Sequence, residues 1–160
     1  RKEIQMEISL AGKTDIDGIN RLLRQVLDIH HAGRPDLFRA GAKKYTDAQL
    51  EALFYDPDRP IFLAKSENGE VLGYAFCILQ QIGNEILTDI RSLYIDDLCV
   101  DETVRGQKIG KALYDHVCAY AKAIGCYNVT LNVWACNESA RRFYEKLGMQ
   151  IQKIGMETIL

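Results

Sequence analysis

The chain has 160 residues, 48% of them hydrophobic and 26% charged, which predicts one core in a single domain over residues 1–160. Its 20 Lys and Arg residues nearly balance 22 Asp and Glu residues, and a net charge of -2 gives no field that would hold a phosphate polymer. Its apolar stretches are short and broken by charges, whereas crossing a bilayer takes roughly 20 apolar residues. We therefore expect neither nucleic acid nor a membrane as a partner.

Neither a secretory signal nor a metal site is expected. The first residues lack the apolar core and small-residue cleavage site of a signal peptide, which favours a cytoplasmic location. The five cysteines are scattered, with no CxxC pair and no histidine at metal spacing beside them, so they are expected to be reduced. His30 and His31 are neighbours, and on a helix their side chains would project about 100° apart, which does not suit a metal pair.

The first third of the chain predicts a strand, a helix and a long loop. Alternating apolar residues predict a strand over residues 4–8. Helical spacing predicts a helix that begins at Thr14, with Asp17 as its capping-box partner. The segment of residues 30–45 has no clear period, and loops of more than about 12 to 15 residues are uncommon unless they cover a site. This loop is therefore expected to act as a lid or a substrate loop.

The middle of the chain predicts a short helix and a β-meander. Thr46 and Gln49 form a capping box for a helix that ends near residue 55. Three β-rich runs follow, over residues 61–66, 71–80 and 90–100. An Asn-Gly step between the first two suits a hairpin turn.

The last third alternates helices and strands. We expect a long helix over residues 109–124, a strand over residues 127–133, a helix capped by Asn137, and closing strand material over residues 149–160. Together the elements predict an α+β domain with a mixed, mostly antiparallel central sheet flanked by about four helices.

The segment V-R-G-Q-K-I-G-K-A, residues 104–112, places two glycines and two lysines at the start of the long helix. Free N–H groups at a helix N-terminus and the positive end of its dipole favour an anion, and glycine allows close approach of a ligand. A pyrophosphate meets these conditions. The P-loop pattern and the three-glycine dinucleotide pattern are both absent. A flexible turn with solvated lysines explains the same residues.

A resemblance to a known family favours the first of these interpretations. Gln107, Gly110 and Ala112 match the Q/R-x-x-G-x-G/A motif of the GNAT family of acetyl-coenzyme A dependent N-acetyltransferases. In that family a strand, a second strand and a helix surround the motif in the order predicted here, and the helix carries Asn and then Tyr, as Asn137 and Tyr144 do. The specific resemblance covers residues 94–149.

This resemblance implies a GNAT-type sheet, splayed at a coenzyme A cleft between the strand ending at Val100 and the strand over residues 127–133. The backbone of Leu98, Cys99 and Val100 would pair with the pantetheine like an added strand. The cofactor site would also include Asn137 and the backbone N–H groups around the motif, which belong to Arg105, Gly106, Gln107, Lys108, Ile109, Gly110, Lys111 and Ala112.

The resemblance also implies direct attack of a primary amine on the thioester in a ternary complex, with no metal and no acyl-enzyme. Tyr144 would be the general acid that protonates the leaving thiolate. A core aromatic is the alternative, because Tyr144 lies in an apolar stripe of its helix. The alternative for the whole protein is a non-catalytic sensor or interaction module that binds acetyl-coenzyme A.

The general base is harder to assign from the sequence. Ribosomal-protein N-terminal acetyltransferases carry a Glu where this chain has Asn132, which cannot accept a proton. The string around Asp96 and Asp97 instead resembles the polyamine acetyltransferases. Asp96 is our first candidate, acting through a water, and Asp97 the second. A solvated or salt-bridged strand end is the alternative for both carboxylates.

Two loops are expected to select the acceptor amine, residues 30–45 and residues 81–89. Tyr45, Tyr55 and Glu85 are candidate lining residues, although packing or solvation explains each of them as well. The predicted C-terminal strand suggests a homodimer formed by pairing across two copies.

Overall fold

The computed structural model describes residues 5–160, so Ile4 of the first predicted strand lies outside the described residues. The elements in chain order are β1 (Met6–Leu10), α1 (Ile16–Gly33), α2 (Asp47–Leu53), β2 (Ile61–Ser66), β3 (Val71–Ile82), β4 (Ile90–Val100), α3 (Ile109–Ala123), β5 (Asn128–Leu131) and α4 (Glu138–Lys146). The predicted α+β class, with about four helices around one sheet, is confirmed.

The five strands form one sheet in the order β1-β2-β3-β4-β5. The pairs β1-β2, β2-β3 and β3-β4 are antiparallel, and β5 runs parallel to β4. Apolar side chains are buried on both faces. Leu113 and Val117 of α3 pack on one face, and Ile19 and Leu22 of α1 pack on the other. The sheet is thus a rigid middle layer whose ends position the connecting loops.

Of the two capping boxes that the sequence predicts, one is present in the structure and the other is not. The Thr46 and Gln49 capping box is present at α2, as predicted. The expected box at Thr14 is wrong: a 3-10 turn precedes α1, and the Asp15 carboxylate accepts a 2.9 Å hydrogen bond from Gly12 N–H. Among the described residues, no helix is both long enough and apolar enough to span a bilayer.

The C-terminal segment departs from the prediction. Residues 149–160 form no strand, and Ile154 and Met156 are 76% and 93% exposed. An alternating pattern shows only that a segment suits a strand, because a strand also needs an edge with which to pair. The Arg34 guanidinium holds the segment to the end of α1 through an ion pair with Glu157, at 2.5 Å.

Candidate active site

The sheet opens between β4 and β5. These strands pair only over residues 92–95 and 128–131, whereas β4 continues beside β3 as far as Val100. The backbone of residues 96–100 therefore has an edge that lacks a strand partner. This edge faces a wide, open cleft bordered by α1, α3, α4 and the C-terminal segment. A long ligand can enter here and pair with the strand.

A β-bulge places two carboxylates where the sheet opens. Phe76 pairs with Asp97, but the next residue, Cys77, pairs with Ile95, so Asp96 is the extra residue of β4. A bulge bends its strand and redirects the side chains beside it. Asp96 and Asp97, at this bulge, both border the cleft.

Asp97 is half-buried and bonded to Tyr74 of the core. The Tyr74 hydroxyl on β3 donates a 2.6 Å hydrogen bond to Asp97 Oδ2. Burial raises the pKa of Asp97 to about 6, although the hydrogen bond from Tyr74 and the charge of Lys44 act in the opposite direction. A carboxyl with this pKa exchanges protons near neutral pH, as a general base must.

The Asp96 side chain is 25% exposed and has a cationic partner. Lys44 Nζ, from the loop between α1 and α2, lies 2.9 Å from Asp96 Oδ2. The same ammonium lies 5.4 Å from the centroid of the Tyr45 ring, which stacks on Phe76 at 5.8 Å. The loop that was expected to act as a lid thus contacts the bulge directly.

The N-terminus of α3 carries unpaired amides. The first intrahelical bond runs from Ala112 N–H to the Lys108 carbonyl at 3.1 Å. Within residues 5–160, no protein acceptor lies in hydrogen-bonding range of the N–H groups of Ile109, Gly110 and Lys111. Arg105, Gly106 and Lys108 border the cleft beside these amides. Free donors, a helix dipole and cations together favour a phosphate group.

The backbone of this turn has a conformation suited to close approach. Gly106 and Lys108 both have positive φ, 82° and 62°. At Gly110 an added Cβ would lie 2.9 Å from Phe143 Cζ, so the glycine allows α4 to pack directly on the first turn of α3. The motif glycine therefore sets the distance between the two helices that border the cleft.

Asn137 and Tyr144 lie on the far wall of the same cleft. Asn137 caps α4 by accepting a 3.2 Å hydrogen bond from Ala140 N–H, as expected. No hydrogen bond within residues 5–160 involves the Tyr144 hydroxyl. Burial, and next the negative charge of Asp97, raise the pKa of Tyr144 above its ordinary value, so the phenol keeps its proton.

An aromatic cluster closes the other end of the cleft. Phe38 of the loop after α1 lies 5.3 Å from Trp134, centroid to centroid, and 4.9 Å from His30. His31 Nδ1 lies 2.6 Å from the Phe38 carbonyl oxygen, which fixes the loop on α1. Both histidines belong to α1, and the loop begins at Arg34. The segment after β5 thus joins the loop after α1 in one wall.

The second loop that was expected to select the acceptor amine lies away from the cleft. Residues 81–89 do not line the cleft, and Tyr55 and Glu85 are exposed outside it. The β3-β4 turn is at the opposite end of β4, six residues from Asp96, which is about 20 Å along a strand. Tyr45 does pack beside Asp96. Within residues 5–160, no group of three His, Cys, Asp or Glu side chains is arranged to hold a metal.

Three contacts at the site carry no signal in the sequence. They are the Lys44 pair with Asp96, the Tyr74 bond to Asp97, and the packing of Phe38 on Trp134. Each joins residues far apart in the chain. Asn132, where related enzymes have Glu, donates its side-chain amide to the Tyr94 hydroxyl at 3.2 Å.

A mixed sheet that opens beside a helix with free amides has the geometry to accept an extended, anionic ligand along a strand edge. A model described as the acetyltransferase (GNAT) family matches residues 23–149, most of the chain. The chain belongs to this family.

Similarity to individual proteins is more limited. The chain is 36% identical over 63 residues to glucosamine 6-phosphate N-acetyltransferase of Arabidopsis thaliana, which covers 39% of this chain and 40% of that protein. It is 30% identical over 106 residues to peptidyl-lysine N-acetyltransferase YjaB of Salmonella typhimurium, covering 65% and 61% of the two chains.

The chain thus spans less than two thirds of these curated relatives, whereas a solved structure matches it almost end to end. A mutant of the BH1408 protein from Bacillus halodurans superposes with a TM-score of 0.92 at 30% identity, covering 96% of this chain and 99% of that one. An aminoglycoside N-acetyltransferase AAC(6')-Iy in complex with CoA shares the fold, with a TM-score of 0.72 at 14% identity over 99% and 97% of the two chains.

Proposed function

We propose that the protein transfers an acetyl group from acetyl-coenzyme A to a primary amine by direct attack in a ternary complex. The observation that carries this proposal is the single cleft of the GNAT fold, which combines a free strand edge, unpaired helix amides, two carboxylates and a tyrosine hydroxyl. Amine acetylation needs these groups and little more, because a thioester is already activated.

The residues present fit the coenzyme A site that the family implies. Leu98, Cys99 and Val100 offer the unpaired strand edge to the pantetheine. The pyrophosphate would be held at the α3 N-terminus by Arg105, Gly106, Lys108, Ile109, Gly110 and Lys111, with Asn137 on the facing wall. Gln107 and Ala112 belong to the same motif but do not line the cleft, and Ala112 N–H is already bonded to the Lys108 carbonyl. When bound, acetyl-coenzyme A supplies the activated acetyl group.

Asp96 is the proposed proton acceptor, acting through a water, and Asp97 is the second candidate. The amine must lose a proton before it attacks, because aliphatic ammonium groups have a pKa near 10.4. The Lys44 ammonium at 2.9 Å supports this assignment, since it demonstrates that a primary ammonium fits against Asp96. Asp97 adds negative charge beside it.

Tyr144 is the proposed proton donor to the leaving thiolate. Its buried hydroxyl stays protonated and has no acceptor among the described residues, so its proton is available. Cysteine nucleophiles fit less well, because burial raises the pKa of Cys99 to about 12 and leaves almost no thiolate at neutral pH. Direct attack by the amine is therefore favoured over an acyl-enzyme.

The acceptor is a primary amine of a small molecule, such as a polyamine, or of a peptide. Two carboxylates and an aromatic wall of Phe38 and Trp134 suit a cationic amine on an apolar stem. The named relatives include a peptidyl-lysine and a glucosamine 6-phosphate acetyltransferase, which both modify primary amines.

A thiol-release assay with acetyl-coenzyme A and a panel of polyamines, aminoglycosides and peptide amines tests the proposal. We expect turnover with at least one amine. Asp96→Asn should lower kcat/KM by about 100-fold while coenzyme A binding is kept. Asp28→Asn, an exposed residue outside the cleft lining, is the matched control and should match the wild type. Tight binding of acetyl-coenzyme A without turnover on any amine would instead favour a sensor.

A further inference from the structure

The amine of Lys44 lies against Asp96, the proposed general base. Its Nζ lies 2.9 Å from Asp96 Oδ2, and its side chain is 46% exposed beside an Asp96 side chain that is 25% exposed. Lys44, Asp96 and Tyr144 all line one cleft. The chain thus holds one of its own primary amines against the proposed base.

We propose that Lys44 is a self-acetylation site, at which the protein transfers the acetyl group of acetyl-coenzyme A to its own Nζ. This inference rests on the proposed function, because it uses the same base and acid. The modified residue would be Nε-acetyl-Lys44, and the acyl donor is a thioester of coenzyme A.

Other lysines of the described chain provide the contrast. Lys43 pairs with Asp47 at 3.0 Å, with both side chains more than half exposed. Lys111 pairs with Asp115 on the surface of α3 at 2.5 Å. Among the lysine ion pairs within residues 5–160, that of Lys44 alone reaches a carboxylate on β4. Position, not general reactivity, therefore selects Lys44.

The step balances without a further reagent. A proton leaves Lys44 Nζ for the Asp96 carboxylate, and the freed lone pair forms a C–N bond to the thioester carbonyl carbon. The C–S bond breaks, and the leaving sulfur takes a proton from the Tyr144 hydroxyl. The nitrogen gives its second proton to the Tyr144 phenolate, and Asp96 releases the first proton to water. The products are an amide on Lys44 and free coenzyme A.

The reaction limits itself to one acetyl group per site. Acetylation removes the positive charge, and a neutral amide no longer forms an ion pair with Asp96 or attacks a second thioester. We therefore expect one acetyl group per chain, after which Asp96 is left without its Lys44 partner.

Mass spectrometry of the intact chain tests the proposal. Purified protein is incubated with acetyl-coenzyme A and no added amine, and peptide mapping locates the modification. We expect the mass of the chain to increase by one acetyl group, located on Lys44, and by no more. Alternatively, this group is already present in protein purified from cells. An unmodified Lys44 after prolonged incubation would overturn the inference.

Variants separate catalysed transfer from chemical acetylation. Lys44→Arg should lose the mapped acetyl group, whereas Lys43→Arg, its neighbour, should keep the modification at Lys44. Tyr144→Phe should slow labelling of Lys44 by at least about tenfold. If Lys44 were labelled no faster than Lys43, or equally fast in the denatured chain, the modification would be chemical and the inference wrong.

A parallel assay on external amines separates this inference from the proposed function. Thiol release with added amines but an unmodified Lys44 would overturn the self-acetylation alone. No turnover on any amine together with an unmodified Lys44 would overturn both. The labelling rate constant should not change with protein concentration, and a proportional rise would show transfer between copies and exclude transfer within one chain.

Discussion

The Tyr74 hydroxyl donates a 2.6 Å hydrogen bond to Asp97, joining two strands through residues 23 positions apart. This bond ties one carboxylate of the bulge to a core tyrosine, while its neighbour Asp96 pairs with Lys44. One strand irregularity thus gives two adjacent carboxylates different surroundings. Their environments, and so their expected roles, can be separated by mutation.

Asp97→Asn should stabilise the protein above neutral pH. The pKa of Asp97 is about 6 in the folded protein, above the ordinary value of 3.8. Between these two pH values the folded state binds more protons than the unfolded state. The free energy of unfolding therefore falls as the pH rises from about 4 to about 6. A shift of this size corresponds to about 3 kcal/mol at pH 8. Asn keeps an oxygen that accepts from Tyr74 and carries no charge.

Urea unfolding at pH 5 and pH 8 measures this effect. The variant should exceed the wild type at pH 8, by a margin that shrinks toward pH 5. The exposed Asp28→Asn should show no such pH-dependent difference. An Asp97→Asn protein that is less stable than the wild type at pH 8 would contradict a raised pKa.

Tyr144→Phe should lower kcat by about 100-fold or more, because the substitution removes the only proton donor proposed for the leaving thiolate. The ring stays packed on Phe143, at 5.0 Å between centroids, so folding and coenzyme A binding should be kept. Steady-state kinetics and calorimetry on the same preparation measure both quantities. Unchanged kcat would remove Tyr144 as the acid.

Gly110→Ala should weaken both the fold and coenzyme A binding. The added Cβ would lie 2.9 Å from Phe143 Cζ, so the Phe143 ring must shift from its place against α3. We expect a loss of about 1 to 2 kcal/mol on unfolding, typical of overpacking. Gly155→Ala is the control, because no atom lies within 4 Å of its added Cβ. Equal stability of the two variants would contradict the tight contact.

Local signals account for what the sequence predicted well. The Thr46 capping box, the Asn137 cap and the bounds of the strands Ile61–Ser66 and Ile90–Val100 depend on neighbouring residues or on a simple period. The motif around Gly110 is likewise contiguous. Family resemblance added the order of the elements around it.

Contacts between distant residues account for what the sequence missed. The bulge at Asp96 depends on the register of β3 against β4, which no single segment encodes. Lys44 reaches Asp96 across 52 positions of the chain. The exposed segment of residues 149–160 shows the same limit, since pairing of a strand depends on an available edge as well as on its own pattern.

The exposed C-terminal segment predicts a dimer. Ile154 and Met156 are two positions apart, so they lie on one side of an extended chain, and both are more than three-quarters exposed. The outer edge of β5 has no strand partner within residues 5–160. Unpaired edges and exposed apolar rows favour association, and two-fold dimers are the commonest symmetric form.

Sedimentation velocity over a range of protein concentrations tests this prediction. We expect a dimer that dissociates on dilution, and a Met156→Gln variant that dissociates at a higher concentration because an apolar contact is lost. Lys153→Gln, a polar substitution in the same segment that removes no apolar side chain, provides the control and should leave the association unchanged. A monomer at every concentration would contradict pairing between copies, and equal effects of the two variants would exclude the Met156 side of the segment as the contact.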